Sequence, residues 1–222
     1  MTDPTRGAAR QQRDMSAVVT VNRAEAAAFI GGAAALAGSW ALVVARETVP
    51  PAEARAFEIV NGLPDALWPV VWLPMQAGSF LGSLAVVGLA AAATHDRRAV
   101  LAALVASQGA FWTAKVVKAM VSRERPAALL DEIHVRETAD GFGYVSGHAA
   151  VAFALATALA PSLPRSARPA VFATAVVVGF GRIYGGAHLP LDVVGGAGIG
   201  LLFGTVTRWA LGLGGEGLPR RR

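Results

Sequence analysis

Long apolar blocks alternate with short polar segments along most of the chain. Six blocks are candidates for membrane spans, and they cover residues 26–45, 67–93, 99–121, 147–163, 171–182 and 191–211. Most are close to the roughly 20 residues with which an α-helix crosses the hydrocarbon core of a bilayer. The pattern predicts an all-α fold, an integral membrane bundle of about six transmembrane helices over residues 26–212.

The two ends of the chain depart from this pattern. Residues 1–25 are polar and rich in arginine, which predicts a cytoplasmic N-terminal tail, and residues 213–222 form a basic C-terminal tail. The first apolar block also resembles a signal peptide, because Ala35-Leu36-Ala37 is a possible cleavage site. It continues beyond Ala37 and exceeds the roughly 7–15 apolar residues of a signal-peptide core, which favours a retained helix.

The composition agrees with a membrane protein. Hydrophobic residues make up 54% of the 222 positions and charged residues 16%, whereas a soluble domain carries roughly 25% charged residues. This balance excludes a disordered tail, a fibre and an ordinary cytosolic enzyme. The absence of cysteine excludes disulfides, thiolate catalysis and iron–sulfur or zinc–thiolate sites.

The net charge of +5 reflects orientation in the membrane rather than nucleic-acid binding, because the basic residues cluster between apolar blocks. With the N-terminus inside, twelve of the twenty basic residues lie on the inner side: Arg6, Arg10, Arg13, Arg23, Arg97, Arg98, Arg165, Arg168, Arg208, Arg220, Arg221 and Arg222. Both ends are then cytoplasmic, and the loops 122–146 and 182–192 face outside. The high use of alanine and glycine favours a bacterial source, hence the inner membrane.

Three groups of polar residues lie at span ends on the predicted outer face. They are Lys118 with Arg125-Pro126, Ser146-Gly147-His148, and Arg182 with His188 and Asp192. Charged side chains at membrane depth are costly and usually functional. Because span ends meet in a bundle, these groups are candidates for one site.

The residue types in these groups favour a phosphate over a metal. Lys118, Arg125 and Arg182 repel a bound metal ion, but they suit the oxygens of a phosphoryl group. Ser146 is a good N-cap, and the free N–H groups of Gly147 and His148 after it form an anion site. The sequence predicts a phosphate-binding cradle with no metal and no cofactor.

His188 and Asp192 are four residues apart, with Pro190 suited to the first turn of a helix between them. A carboxylate bonded to one ring nitrogen fixes the tautomer and leaves the other nitrogen as a nucleophile. His148, from a different span, is then a candidate general acid and base. Two such histidines predict a two-step phosphoryl transfer through a phosphohistidine.

The ordered set Lys118-x6-Arg125-Pro126, Ser146-Gly147-His148 and Arg182-x5-His188-x3-Asp192 resembles the signature of the type 2 phosphatidic acid phosphatase superfamily, which includes vanadium haloperoxidases and bacterial acid phosphatases. The resemblance implies that His188 attacks phosphorus, Asp192 orients it, and His148 protonates the leaving oxygen and later activates water. It also implies phosphoryl binding by Lys118, Arg125, Arg182 and the backbone at Ser146 and Gly147, and metal-free hydrolysis of lipid phosphates.

Two positions depart from the family pattern. Val145 stands where the family usually has proline, which is expected to loosen the turn before Ser146. Gly181 stands where the family often has serine, which is expected to remove a hydroxyl near the phosphate. Neither departure deletes a proposed catalytic group.

Several alternatives stay open at this stage. The substrate could be a prenyl diphosphate, phosphatidate or phosphatidylglycerol phosphate, and the oligomeric state is unspecified. An intramembrane serine protease would use Ser146 with His148 or His188, but it leaves the three cations unexplained. A non-catalytic lipid binder or transporter would keep the cradle, and a haloperoxidase would share it. Outside the motif, Arg123 and Arg136 are expected on a solvated loop face, and Gly196, Gly200 and Gly204 at a helix-packing face.

Overall fold

The computed structural model describes residues 21–46 and 48–215, and in this part of the chain the regular structure is entirely helical. The α-helices are α1 (Arg23–Val44), α2 (Pro51–Asn61), α3 (Trp68–Met75), α4 (Phe80–Ala93), α5 (Arg97–Val121), α6 (Pro126–Leu129), α7 (Gly147–Leu159), α8 (Arg168–Tyr184) and α9 (Pro190–Ala210). Short 3-10 turns cover Asp65–Leu67, Gln76–Gly78 and Ala160–Ser162. The predicted all-α class is confirmed.

The predicted spans correspond in order to α1, the pair α3 and α4, α5, α7, α8 and α9. Within the described residues, three helices are long and apolar enough to cross a membrane, and a fourth span is reached if α3 and α4 count together. That pair is bent by 75°. The bend follows from Pro74 inside α3 and from Ser79, whose extended backbone and side-chain cap start a new helix.

The ends of the predicted domain shift slightly. Helix α1 begins at Arg23 rather than at residue 26, because Asn22 and Glu25 form a capping box at its start. Most of the predicted N-terminal tail, residues 1–20, lies outside the described residues. The same holds for residues 216–222 of the predicted C-terminal tail.

Helix α7 lies at the centre of the bundle and packs against α5, α8 and α9. The approach of α9 depends on the glycine stripe, since a Cβ at Gly196 would collide with the carbonyl of Ser146, and one at Gly200 with that of Ala150. Helix packing is therefore the role of this stripe, as its spacing predicts. The close contact brings the first turns of α7 and α9 side by side.

Hydrogen bonds hold the long loop 122–146 at the end of the bundle where α7 and α9 begin. Arg136 donates to the backbone carbonyls of Asn61, Leu63 and Tyr184, and its guanidinium lies 4.2 Å from the centre of the Tyr184 ring. The expected solvated position of Arg136 is wrong, because these carbonyls are left free by helix ends and take up the guanidinium donors. The loop is held in place by this side chain.

Candidate active site

The predicted site residues come together at one end of the bundle. Lys118 and Arg182 lie in the last turns of α5 and α8, whereas Ser146 precedes α7 and Asp192 lies in the first turn of α9. Because α5 and α8 end where α7 and α9 begin, side chains far apart in sequence meet there. They surround a cavity of about 460 Å³, whose lining includes Lys118, Arg125, Gly147, His148, Arg182 and His188. Ser146 and Asp192 are buried behind this lining.

His188 and Asp192 form a buried pair. Nδ1 of His188 lies 3.4 Å from Oδ2 of Asp192, and the same oxygen accepts the backbone N–H of Leu189 at 2.9 Å. The distance to Nδ1 is long for a hydrogen bond, which is common for catalytic pairs before a substrate binds. Asp192 faces Nδ1, so Nε2 is the nitrogen left for chemistry.

The electrostatic surroundings of His188 disfavour the charged form of its ring. Burial first, and then the positive charges of Lys118 and Arg182, lower the pKa of His188 well below its ordinary value of 6.5. Desolvation disfavours the charged ring, and nearby cations disfavour it further. The neutral imidazole is the form that can act as a nucleophile.

Backbone carbonyls hold two of the three cations in place. Lys118 Nζ donates to the carbonyls of Phe142 and Gly143 at 2.7 and 2.9 Å. Arg125 donates from Nη1 to the carbonyl of Ala187 at 2.7 Å, and from Nε and Nη2 to the carbonyls of residues 141 and 140. These bonds fix both side chains before any ligand arrives, which lowers the cost of ordering them.

Arg182 differs, because its partner is another side chain that lines the cavity. Its Nη1 is paired with a carboxylate oxygen of Glu137, and its Nε has no hydrogen-bond partner among the described residues. The guanidinium side chain is 4% exposed. A buried donor without a partner is unusual in folded proteins, and here it lies in a site rich in positive charge.

The start of α7 supplies backbone donors. The Ser146 hydroxyl is 3.5 Å from the N–H of Ala149, and the Ser146 N–H donates to the carbonyl of Asp192 at 2.8 Å. Gly147 lines the cavity, and a Cβ added there would meet nothing within 4 Å. Helix N-termini with free N–H groups and open space in front of them suit oxyanions.

The structure corrects the expectation at position 181 and places the side chain at position 145. A Cβ at Gly181 would lie 2.9 Å from Cγ1 of Val71 and 3.0 Å from the sulfur of Met75, so position 181 faces α3 instead of the phosphate cavity. Val145 is completely buried, and its side chain occupies the space beside Gly195 of α9. The turn before Ser146 is thus packed into the core.

The sequence did not predict that the side chains of Glu137, Arg123 and Glu53 belong to this region. Glu137 lies in the cavity lining, and no motif pointed to it. Arg123, expected on a solvated face, is bonded to Asp192 and to Glu53. The expectation was wrong because the partner Glu53 lies on α2, so no spacing near Arg123 could reveal it.

No group of three or more metal-ligating side chains occurs within residues 21–46 and 48–215.

Fold and site define a helical membrane protein with a cationic, histidine-lined cavity at one end. Residues 98–213 match the profile of the PAP2 superfamily, the superfamily that the spaced motif resembles. The chain belongs to the PAP2 superfamily.

Two solved structures share the fold. The crystal structure of LpxE from Aquifex aeolicus has a TM-score of 0.64 and 24% identity, over 69% of this chain and 93% of that one. The structure of the first transmembrane PAP2 type phosphatidylglycerolphosphate phosphatase from Bacillus subtilis has a TM-score of 0.64 and 22% identity, over 80% of this chain and 94% of that one. No curated protein sequence matches the chain.

Proposed function

We propose that the protein hydrolyses a phosphomonoester or diphosphate of a lipid at the outer membrane–water interface, without a metal, through a phosphohistidine intermediate. One observation carries this proposal: three cations, a helix N-terminus and an aspartate-paired histidine surround a single cavity. Such an arrangement suits a tetrahedral dianion that is attacked by nitrogen. One of the two structural neighbours is named as a phosphatidylglycerolphosphate phosphatase, in agreement with a lipid substrate.

In the first step, Nε2 of His188 attacks phosphorus while the bond from phosphorus to the leaving oxygen breaks. His148, which also lines the cavity, donates a proton to that oxygen. The negative charge of the bound phosphoryl group favours the protonated form of His148. Asp192 stabilises the positive charge that develops on the ring of His188.

In the second step, water attacks phosphorus and His148 accepts one of its protons. The phosphorus–nitrogen bond breaks, inorganic phosphate leaves, and His188 returns to its neutral form. The phosphoryl oxygens are bound in both steps by Lys118, Arg125, Arg182 and the N–H groups at the start of α7. The donors of Lys118 and Arg125 are fixed before the reaction by backbone carbonyls, which is the main requirement for electrostatic stabilisation of a transition state.

Phosphate release from a lipid panel in EDTA tests the proposal. The panel contains a prenyl diphosphate, phosphatidate and phosphatidylglycerol phosphate, and we expect release from at least one. His188→Ala should lower kcat by at least roughly 1,000-fold, and the exposed His95 supplies the matched control His95→Ala, which should be unchanged. Activity lost in EDTA would overturn the metal-free reaction, and an unchanged rate in His188→Ala would remove the nucleophile.

A serine protease has less support than a phosphatase. Ser146 is fully buried, and its hydroxyl faces the N–H of Ala149 at the start of α7. A nucleophilic serine must instead contact its substrate. Ser146→Ala should therefore retain part of the phosphatase activity, whereas peptide cleavage by the wild-type protein that Ser146→Ala abolishes would favour the protease.

The outward orientation of the site is part of the proposal and can be tested separately. The chain has no cysteine, so a single cysteine reports its own side of the membrane. Glu132→Cys, in the exposed part of the long loop, should react in intact cells with a membrane-impermeant maleimide. Arg98→Cys, on the opposite side, should react only after the cells are permeabilised. The reverse result would overturn the orientation.

A further inference from the structure

The carboxylate of Asp192 has a second partner on the side away from His188. Its Oδ1 atom lies 2.8 Å from Nη1 of Arg123, while Oδ2 faces His188. The Asp192 side chain is 0% exposed and that of Arg123 is 10% exposed. A buried carboxylate needs such compensation to stay ionised, so Arg123 is placed to keep the negative charge on Asp192.

Glu53 in turn fixes the guanidinium of Arg123 from a different helix. Two oxygens of Glu53 bind two nitrogens of Arg123, at 2.7 Å for Oε2–Nη2 and 3.1 Å for Oε1–Nη1. Glu53 Oε1 also accepts the N–H of Leu191 at 2.9 Å. The carboxylate thus ties α2 to the first turn of α9, which contains Asp192.

The charges of this group suit the reaction proposed above. Arg123 alone would cancel the charge of Asp192, but Glu53 restores one net negative charge to the three side chains. That charge faces His188 when its ring becomes positive in the phosphohistidine. In a buried site, an opposite charge at this distance stabilises the intermediate more strongly than it would in water.

We infer that Arg123 and Glu53 are positioning residues that orient Asp192 and keep it ionised toward His188. Glu53 lies outside the region 98–213 that matches the superfamily profile. The inference rests on the proposed phosphohistidine reaction. If Arg123 and Glu53 had a purely structural role, they would hold α2 against the loop 122–146 without affecting the chemical step.

Kinetics separates these two roles. In the purified full-length protein we expect Arg123→Gln to lower kcat by roughly 10- to 100-fold, the worth of a hydrogen bond between charged groups. Glu53→Gln keeps the shape and loses the charge, so a smaller loss of roughly 3- to 10-fold is expected. Arg123→Lys should recover at least part of the loss in Arg123→Gln. The substrate KM and the Ki of inorganic phosphate should stay within about twofold, because the cradle is untouched.

Vanadate supplies the second measurement, since it becomes five-coordinate when a nucleophile binds it. Its Ki should rise in proportion to the fall in kcat, whereas the Ki of phosphate should not. Glu58→Gln, on the exposed face of the same helix, is the matched control and should behave as wild type.

Each outcome decides a separate point. An unchanged kcat in Glu53→Gln and in folded Arg123→Gln would overturn the inference, as would a rise in KM and phosphate Ki that matches the fall in kcat. If Arg123→Gln does not fold, Glu53→Gln and Arg123→Lys decide alone. A wild-type protein that releases no phosphate from any lipid would overturn the proposed function and this inference with it.

Discussion

Glu137 places a carboxylate in a cavity that otherwise has a strongly positive lining. It pairs with Arg182, and its side chain is 27% exposed. In the proposed reaction an incoming phosphoryl group binds the same guanidinium, where it would meet the negative charge of Glu137. We therefore predict that Glu137→Gln, which keeps the shape of the side chain, strengthens the binding of phosphate.

The size of the effect follows from the charges. Two unit charges about 6 Å apart interact by roughly 3 kcal/mol at an effective dielectric constant of about 20. The partial exposure of Glu137 and salt screening reduce this to about 1 kcal/mol. A change of that size lowers the Ki of inorganic phosphate about fivefold.

The assay is competitive inhibition of lipid phosphate hydrolysis by inorganic phosphate. Glu132→Gln is the matched control, because Glu132 is an exposed acidic residue of the same loop and lies outside the cavity lining. Its Ki should stay at the wild-type value. A Ki that rises threefold or more in Glu137→Gln would refute the reasoning and would mean that Glu137 orients Arg182 for binding.

Three further predictions concern packing and charge. Gly200→Ala should destabilise the protein by about 1–3 kcal/mol in thermal unfolding, because its Cβ collides with α7. Gly88→Ala, with nothing within 4 Å, is the control. Gly181→Ser should lower the Tm without raising kcat, since it faces Val71; a kcat more than doubled would contradict this. The histidine NMR resonance that is missing in His188→Gln is assigned to His188. In the wild-type protein this resonance should show a neutral ring at about pH 6, because the pKa of His188 lies well below 6.5; titration near 6.5 would contradict this.

The sequence alone predicted the elements whose signals are local. Apolar runs located the membrane helices, because burial in lipid needs a continuous stretch of apolar residues. Ser146, predicted as an N-cap, marked the start of α7, where the structure shows its side chain accepting the backbone N–H of Ala149. The spacing of four residues between His188 and Asp192 predicted their pairing, because Asp192 lies in the first turn of α9 and His188 lies just before that helix begins.

The wider phosphate site could also be predicted, but for a different reason. Lys118, Arg125, Arg182 and His148 lie at helix ends that must share one side of the membrane if the spans alternate in direction. This constraint predicts that the distant residues meet, even when the packing of the helices is unknown. It does not predict which side chains of the loop 122–146 line the same cavity.

The tertiary structure decided what depends on contacts between segments far apart in the chain. Arg123 reaches Asp192 across 69 positions and Glu53 across 70, and no periodicity encodes such distances. The packing of α3 against α8 determined that Gly181 faces Val71 and Met75. Local patterns determine helices and their ends because those depend on backbone hydrogen bonds and burial in lipid. The neighbours of the Asp192 carboxylate depend on how the helices pack.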